Sequence, residues 1–542
     1  MPSIAINGRT GQGVETAGEM LATLMTAQGM PHRTWRDFST IIRGGLTSFE
    51  VYTDTAGGGT VTRSDRVEVA VVFDQEGLDR YVSRLVPGGR LFAGQSLPQV
   101  GEWRECPRLG YNLWALGIAA GAFHLDRQEM RDAIAARFPG AESLGLAEDG
   151  YARGTALGLG SASERGAELV DLTANQALAL GALSGGVRFY CGYPITPASD
   201  VLEILARALP NLGGTTVQVE DEIAAVHMAV GCSYAGLRTF VATSGPGLSL
   251  MTEGIGYAAT IEVPLVVVDN QRGGPSTGMP TKTEQSDFEQ VRYGGHGEFP
   301  RIVLAPTDVG DTALVMKEAL NVADAHHALV FLLLDLDLAM NARTVSWPAL
   351  VHDLESIPVN RGPTHLTGAV ENYVRFHPDP DGRTWRTVPG VAGGAYVASG
   401  DEHDERGWME PDFGAVRKTL HHRRLHKVDA IEYQRPWTQV GNPSAPTLLV
   451  GTGSMSELIR RTVDDHPTRY QALLVRQIHP LPPPTWRTPA IREVVVAEYN
   501  ASAQLRRLLG PWWNDLPVSS VLRYDGEHFA AEEFMRAVRD LS

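Results

Sequence analysis

Between residues 169 and 335, strand-like and helix-like runs alternate without a break. "VDLTANQALALGALSGGVRFY" reads as a helix then a strand, and "TTVQVEDEIAAVHMAVGCSYAG" as a strand then a helix. "RTFVATSGPGLSLMTEGIGYAATIEVPLVVVDNQ" reads as strand, glycine turn, helix and strand, and "RIVLAPTDVGDTALVMKEALNVADAHHALVFLLLD" repeats the theme. Strands separated by helices call for a parallel sheet, and a parallel sheet needs helices on both faces. The class predicted for this stretch is therefore α/β.

The same grammar appears at both ends of the chain. A strand over 3–6 leads into the glycine loop "GRTGQG" at 8–13, then a helix over 14–28 with apolar residues at Val14, Ala17, Met20, Leu21 and Leu24. Further strands are expected over 46–52 and 67–73, with "NLWALGIAAGAFHL" and "EMRDAIAARF" as closing helices. Gly- and Ser-rich sequence over about 145–163 reads as a linker. "TLLVGTGSMSELIRRTV", "YQALLVRQIHPLPP" and "REVVVAEYNASAQLRRLL" form a last α/β run, preceded by an irregular stretch rich in Pro, Gly, Trp and charge. A chain of 542 residues is too long for one core. The expectation is three α/β units in series: 1–145, a linker over 146–168, 169–345, an irregular connecting segment over 346–435, and 436–542.

The formal net charge of −16 argues against non-specific nucleic-acid binding. No apolar run is long enough to cross a membrane, and "MPSIAINGRTGQG" has neither a basic nor an apolar leader region, so a cytoplasmic protein is expected. Cys106, Cys191 and Cys232 show no CxxC spacing; three thiols cannot hold an iron–sulfur cluster through four thiolates. They read as buried free thiols, and no metal site is expected on this chain. The basic run "HHRRLHK" at 421–427 reads as a solvated helix face.

Several loops invite a ligand. Gly8, Gly11 and Gly13 are spaced GxxGxG between strand and helix, unlike a dinucleotide fingerprint or a P-loop. Free backbone N–H groups at a helix start attract phosphate, though a tight turn alone also explains the glycines. "IIRGG" at 41–45 sets Arg43 beside two glycines. In "CGYPITPASD", Pro194 and Pro197 bracket Ile195-Thr196 where a strand turns into a helix, which stiffens the backbone at a strand end where α/β ligands sit. The acidic run Glu220-Asp221-Glu222 is compatible with an exposed helix N-terminus. Arg272 follows a strand directly and is compatible with a surface arginine.

Taken in order, "GYPITPASD" (192–200), "VEDEIAAVHMAVG" (219–231), "ATSGPGLSLMTEGIGYA" (242–258) and "DNQRGGPSTGMPTKTEQSD" (269–287) resemble the α subunit of 2-oxoacid:ferredoxin oxidoreductases, of the 2-oxoglutarate:ferredoxin oxidoreductase kind. "GRTGQGVETAGEML" and "IIRGG" resemble that family's γ domain, fused at the N-terminus. "SGDEHDERG" (399–407) and "AEYNASAQL" (497–505) follow the family as well, so the resemblance covers nearly the whole chain.

The resemblance implies a γ-like Rossmannoid domain, a thiamine-diphosphate-binding pyrimidine-type domain and a transketolase C-terminal-like domain. It implies that the loop Tyr193, Pro194, Ile195 and Thr196 faces the thiazolium side of thiamine diphosphate, with Thr196 hydrogen-bonding the 2-oxoacid. It implies that Glu222 binds the aminopyrimidine ring nitrogen and Arg272 the substrate carboxylate, while Gly11, Gln12, Gly13 and Arg43 contact coenzyme A. The chain has no GDG…NN pattern, the usual diphosphate and Mg²⁺ signature. By resemblance that half of the site, with a [4Fe–4S] cluster, lies on a β subunit in a heterotetramer, and ferredoxin takes the electrons. The implied reaction is CoA-dependent oxidative decarboxylation of a 2-oxoacid. A non-oxidative decarboxylase or carboligase subunit, and a non-catalytic scaffold subunit, are the alternatives. Ala503 before Gln504-Leu505, where the family tends toward glycine, and a shorter γ-like segment are the two departures.

Overall fold

The strand "LVVVDNQ", Leu265–Gln271, has apolar side chains on both faces for its first four residues and polar ones for its last three. A strand apolar on both faces cannot set its register by alternation. Its polar end does so instead, because Asn270 and Gln271 must lie where hydrogen-bond partners exist, which they find in Asn175, Leu334 and Asp287. In the computed structural model they lie at the C-terminal edge of a five-stranded sheet. That sheet runs Phe240–Thr243, Leu265–Gln271, Leu329–Asp335, Ile302–Leu304 and Gln477–His479; the first four are parallel and the last antiparallel. The structure describes residues 1–38, 45–54, 60–94, 97, 100–103, 110–160, 168–362, 366–378, 383–409, 413–429, 431, 433–513 and 515–541.

Period-two alternation divides this sheet's side chains between two cores. Val266, Val268, Val330 and Leu332 pack with the helices Ala174–Ser184 and Val309–His326. Leu265, Val267, Leu329 and Phe331 pack with the helices Glu222–Tyr234 and Gly245–Thr260. This is the doubly covered parallel sheet that the alternation predicts. Phe189–Gly192 and Thr215–Gln218 form a separate two-stranded parallel pair.

The N-terminal sheet has eight strands, in the order Glu102–Trp103, Leu85–Ala93, Val67–Val72, Ser3–Arg9, Leu46–Thr53, His32–Phe38, Arg343–Ser346 and Leu169–Leu172. It is mixed, since Ser3–Arg9 pairs parallel with one neighbour and antiparallel with the other. Its last two strands come from sequence expected to belong to the second unit, so the first two units share one sheet. The C-terminal sheet runs Trp437–Gly441, Tyr470–Val475, Thr447–Gly451, Glu493–Glu498 and Val518–Leu522.

Two sequence expectations need correction. The linker expected over 146–168 begins inside a helix, Ala141–Thr155. Gly150 and Gly154 serve close approach rather than flexibility. A Cβ on Gly150 would lie 2.2 Å from the Trp114 carbonyl and one on Gly154 2.1 Å from that of Ile118. Reciprocally, one on Gly117 would lie 2.1 Å from the Ala147 carbonyl. Glycine on both helices lets the backbones touch. Residues 161–167 of that linker lie outside the described residues.

The basic run at 421–427 is not a solvated face. It ends the helix Phe413–His426, and Arg423 and Lys427 reach the buried carboxylate of Glu262, Lys427 at 3.0 Å. Arg424 pairs with Glu402 at 2.6 Å.

Buried charge joins all three units. Arg33 meets Asp337 at 2.6 Å and Glu457 at 2.9 Å; Arg343 meets the same two carboxylates at 3.0 and 2.7 Å. Among the described residues, no helix is long and apolar enough to cross a membrane.

Candidate active site

The strand Phe189–Gly192 delivers the chain to the loop 193–198, and the helix Ser199–Ala208 leaves it. Tyr193 and Pro194 are exposed, Ile195 and Thr196 half-buried, Pro197 and Ala198 buried. The loop is gripped from below at two successive carbonyls. Arg272 Nη1 donates to the Thr196 carbonyl at 2.7 Å, and Asn175 Nδ2 donates to the Pro197 carbonyl at 2.7 Å. Asn270 Nδ2 in turn donates to Asn175 Oδ1 at 2.8 Å. Both asparagines are fully buried, so the polar end of Leu265–Gln271 and the start of Ala174–Ser184 together position the loop.

Glu222 is the first residue of its helix, behind the N-cap Asp221, whose carboxylate accepts from the Ala224 N–H at 2.8 Å. The run Glu220-Asp221-Glu222 divides sharply: Glu220 is exposed, Asp221 half-buried, and Glu222 only 5% exposed. An ordinary helix N-terminus would leave all three in water. Among the described residues, no hydrogen bond reaches the Glu222 carboxylate. It lies against Gly247 in the first turn of the helix Gly245–Thr260. A Cβ on Gly247 would be 2.5 Å from Glu222 Oε1 and 2.1 Å from Thr243 Oγ1. Only glycine leaves room for the carboxylate there. A buried carboxylate needs a partner. A ring nitrogen that shares its proton would fit a lone carboxylate held in this way.

Arg272, 8% exposed, sits immediately past the strand Leu265–Gln271. It lines a cleft of about 560 Å³ together with Gly245, Pro246, Ser249, Asp287 and Gln290. Burial disfavours its charge and lowers its pKa, with Asp287 opposing. Its Nε has no partner among the described residues. Arg272 therefore has two tasks available: one nitrogen holds the loop, and the remaining donors are left for an anion.

Behind the cleft Asp287 faces Asp269, which is fully buried. Burial, then the neighbouring Glu284, pushes Asp287 up to about 6. Burial, then the charge of Asp287, holds Asp269 well above the usual carboxylate range.

The structure thus brings Thr196 and Arg272 into direct contact, and it seats Glu222 against Gly247, just past the strand Phe240–Thr243 that pairs with Leu265–Gln271. Sequence reasoning missed Asn175, Asn270, Gly247, Asp269 and Asp287. The available signal was polar residues at the C-terminal end of an otherwise apolar strand.

The glycine loop of the first unit stands apart; among the described residues no hydrogen bond links it to the Thr196–Arg272 group. Gly11 and Gly13 adopt φ of +89° and +76°, and Gly13 caps the helix Val14–Ala27. Open space surrounds the Cβ position of Gly11, whereas a Cβ on Gly13 would strike the Asn112 side chain at 2.6 Å. Gln12 Oε1 accepts from the Arg9 N–H at 2.5 Å, which braces the turn. Arg43 lies outside the described residues.

Comparison with known proteins sets this geometry in a family. Residues 180–408 match the pyruvate flavodoxin/ferredoxin oxidoreductase thiamine-diphosphate-binding family, and residues 3–107 the pyruvate ferredoxin/flavodoxin oxidoreductase family. The 2-oxoglutarate synthase subunit KorA of Methanocaldococcus jannaschii is 34% identical over 376 residues, covering 67% of this chain and 97% of that protein. The α subunit of 2-oxoacid:ferredoxin oxidoreductase 1 of Sulfurisphaera tokodaii is 34% identical over 388 residues, 68% of this chain; the chain spans 60% of that relative's length. A 2-oxoglutarate:ferredoxin oxidoreductase from Magnetococcus marinus, solved with 2-oxoglutarate, coenzyme A and succinyl-CoA bound, superposes with a TM-score of 0.87 at 27% identity over 99% of both chains. The chain carries a thiamine-diphosphate-binding domain of this type and belongs to the 2-oxoacid:ferredoxin oxidoreductase α-subunit family.

Proposed function

We propose that this chain is the α subunit, with a fused γ-like domain, of a complex that oxidatively decarboxylates a 2-oxoacid of the 2-oxoglutarate type. The products are an acyl-CoA, carbon dioxide and reduced ferredoxin. The carrying observation is the buried Glu222 carboxylate seated against Gly247. The names of the relatives support the substrate class and the use of ferredoxin. A β subunit supplies the diphosphate and Mg²⁺ contacts and the [4Fe–4S] cluster.

Thiamine diphosphate, when bound, supplies a thiazolium carbon that stabilises carbanion character at the 2-keto carbon. The chain's own residues do the rest. Glu222 exchanges a proton with the aminopyrimidine ring nitrogen, for which a carboxyl shielded from water is suited. Tyr193, Pro194, Ile195 and Thr196 cover the thiazolium side, and the Thr196 hydroxyl hydrogen-bonds the substrate. Arg272 fixes the loop through the Thr196 carbonyl and offers its free donors to the substrate carboxylate. Because one side chain does both, binding the acid and setting the loop are coupled. Coenzyme A approaches through the glycine loop at Gly11, Gln12 and Gly13.

Arg272→Lys tests the reading. A lysine keeps the charge but loses the planar fork. The KM for the 2-oxoacid in the reconstituted complex is expected to rise roughly 10- to 100-fold, the worth of a charge-assisted hydrogen bond. The KM for coenzyme A should not move. An unchanged KM for the 2-oxoacid contradicts the assignment of Arg272.

A further inference from the structure

The carboxyl groups of Asp269 and Asp287 lie within hydrogen-bonding reach of one another at the wall of the cleft that Arg272 lines. Asp269 comes from the strand Leu265–Gln271 and is 0% exposed. Neither of its carboxylate oxygens has a hydrogen-bond donor among the described residues. A fully buried carboxylate without a donor is too costly to persist. The facing group is itself a carboxyl, so a proton held between the two is what satisfies them. Asp287 is at the open side of the pair. It lines the cleft, and a Cβ on Gly245 would lie 2.8 Å from its Oδ2. Its backbone N–H is anchored at 3.1 Å on Gln271 Oε1, so the pair is fixed to the sheet.

We propose that Asp287, backed by a protonated Asp269, is the proton acceptor of this active site, taking the proton released from the substrate's former keto oxygen.

The proposal rests on the functional reading above. A 2-oxoacid whose carboxylate reaches Arg272 carries its keto oxygen on the adjoining carbon, inside the same cleft. That oxygen bears a proton while its carbon has carbanion character. When the carbon is oxidised, the O–H bond breaks and its electron pair re-forms the C=O bond. The proton forms an O–H bond on Asp287, and two electrons leave to the ferredoxin-type acceptor. The pair then holds two protons and is neutral, which a buried site favours. It returns to one proton by releasing the other to solvent.

The surroundings identify Asp287 as the member that gains and loses the proton. Asp269 faces it from the strand, Arg272 from the strand end and Glu284 from its own loop. The first turn of the helix Gly245–Thr260 abuts it and favours its anion. Burial and Glu284 raise its pKa to about 6, against Asp269 and Arg272, so near neutral pH it is ionised and ready to accept. Among the described residues no cation opposes the rise at Asp269, which keeps its proton.

Two arms test this. In the full-length chain, an infrared difference spectrum of wild type against Asp269→Asn at pH 7.5 should show one protonated carboxyl belonging to Asp269. A second carboxyl should titrate near pH 6, and Asp287→Asn should abolish it. In the reconstituted complex, kcat with saturating 2-oxoacid should fall below about pH 6 in wild type as Asp287 protonates. Asp287→Asn should lower turnover roughly 100-fold or more and flatten that limb, and Asp287→Glu should partly restore both.

The absence of a protonated Asp269 at pH 7.5 overturns the pair. Wild-type turnover and pH profile in Asp287→Asn overturn the acceptor role. A wild-type complex that turns over no 2-oxoacid, with the infrared titration intact, overturns the functional reading and the proton's source but not the pair.

Discussion

Glu222→Gln in the reconstituted complex is expected to lower 2-oxoacid-dependent reduction of a viologen dye by roughly 1,000-fold, within the range set by loss of a positioned acid–base group. Glutamine matches the carboxylate in shape and can still hydrogen-bond. It cannot exchange a proton with a ring nitrogen, and that exchange is the only step it removes. Folding should be untouched. The carboxylate is buried, so an uncharged amide relieves desolvation rather than adding to it. The same variant should therefore melt at or above the wild-type temperature and still assemble with its partner subunit. Near wild-type turnover would show that Glu222 is packing against Gly247 and nothing more.

The second large effect is on stability. Arg343→Met should destabilise the chain by about 3–5 kcal/mol, the cost of removing one partner from a buried ion cluster. Among the described residues, Asp337 and Glu457, both nearly buried, would then have Arg33 as their one shared arginine. Three stretches distant in sequence meet there: the strand His32–Phe38, the strand Arg343–Ser346 and the helix Met455–Asp465. Burial would raise the pKa of Asp337, but Arg33 and Arg343 hold it well below the usual range. A depressed carboxylate stabilises fully above its unfolded pKa of about 4, and that contribution is lost as pH falls through the folded value. The gap between wild type and Arg343→Met should accordingly be widest near neutral pH and narrow in acid. Thermal melts across that range check this. A melting temperature unchanged at pH 7 would mean the cluster balances its own desolvation.

Which features could be read from sequence follows from how local their causes are. "LVVVDNQ" and "LVFLLLD" read as buried strands because their apolar runs are contiguous. The loop at 192–197 was legible because two prolines and a glycine leave few backbone options. Glu222 and Arg272 stood out only through ordered motifs; alone, Glu222 fitted an exposed helix N-terminus better, and Arg272 was compatible with a surface arginine. Burial separates Glu222 from Glu220, and burial is set by Gly247, which belongs to another helix.

The misreadings have the same root. Glycine marks both flexible linkers and close helix contacts, and only the partner helix Tyr111–Ala122 decides for Gly150 and Gly154. A run of Arg, His and Lys looks solvated until Glu262 and Glu402 are placed beside it. The strands Leu169–Leu172 and Arg343–Ser346 join the N-terminal sheet by pairing with each other and with His32–Phe38, contacts that no local pattern signals. Asn175 and Asn270, which position the loop, meet across 95 residues of sequence.

The most direct test is product stoichiometry. The chain, reconstituted with its β subunit, is given 2-oxoglutarate, coenzyme A and an oxidised one-electron viologen. Carbon dioxide, acyl-CoA and reduced dye are then measured together. One acyl-CoA and two reduced dye molecules are expected for each carbon dioxide, all dependent on coenzyme A. Carbon dioxide released with neither acyl-CoA nor reduced dye would make the complex a non-oxidative decarboxylase, and no product at all would leave the chain a scaffold; either result contradicts the account.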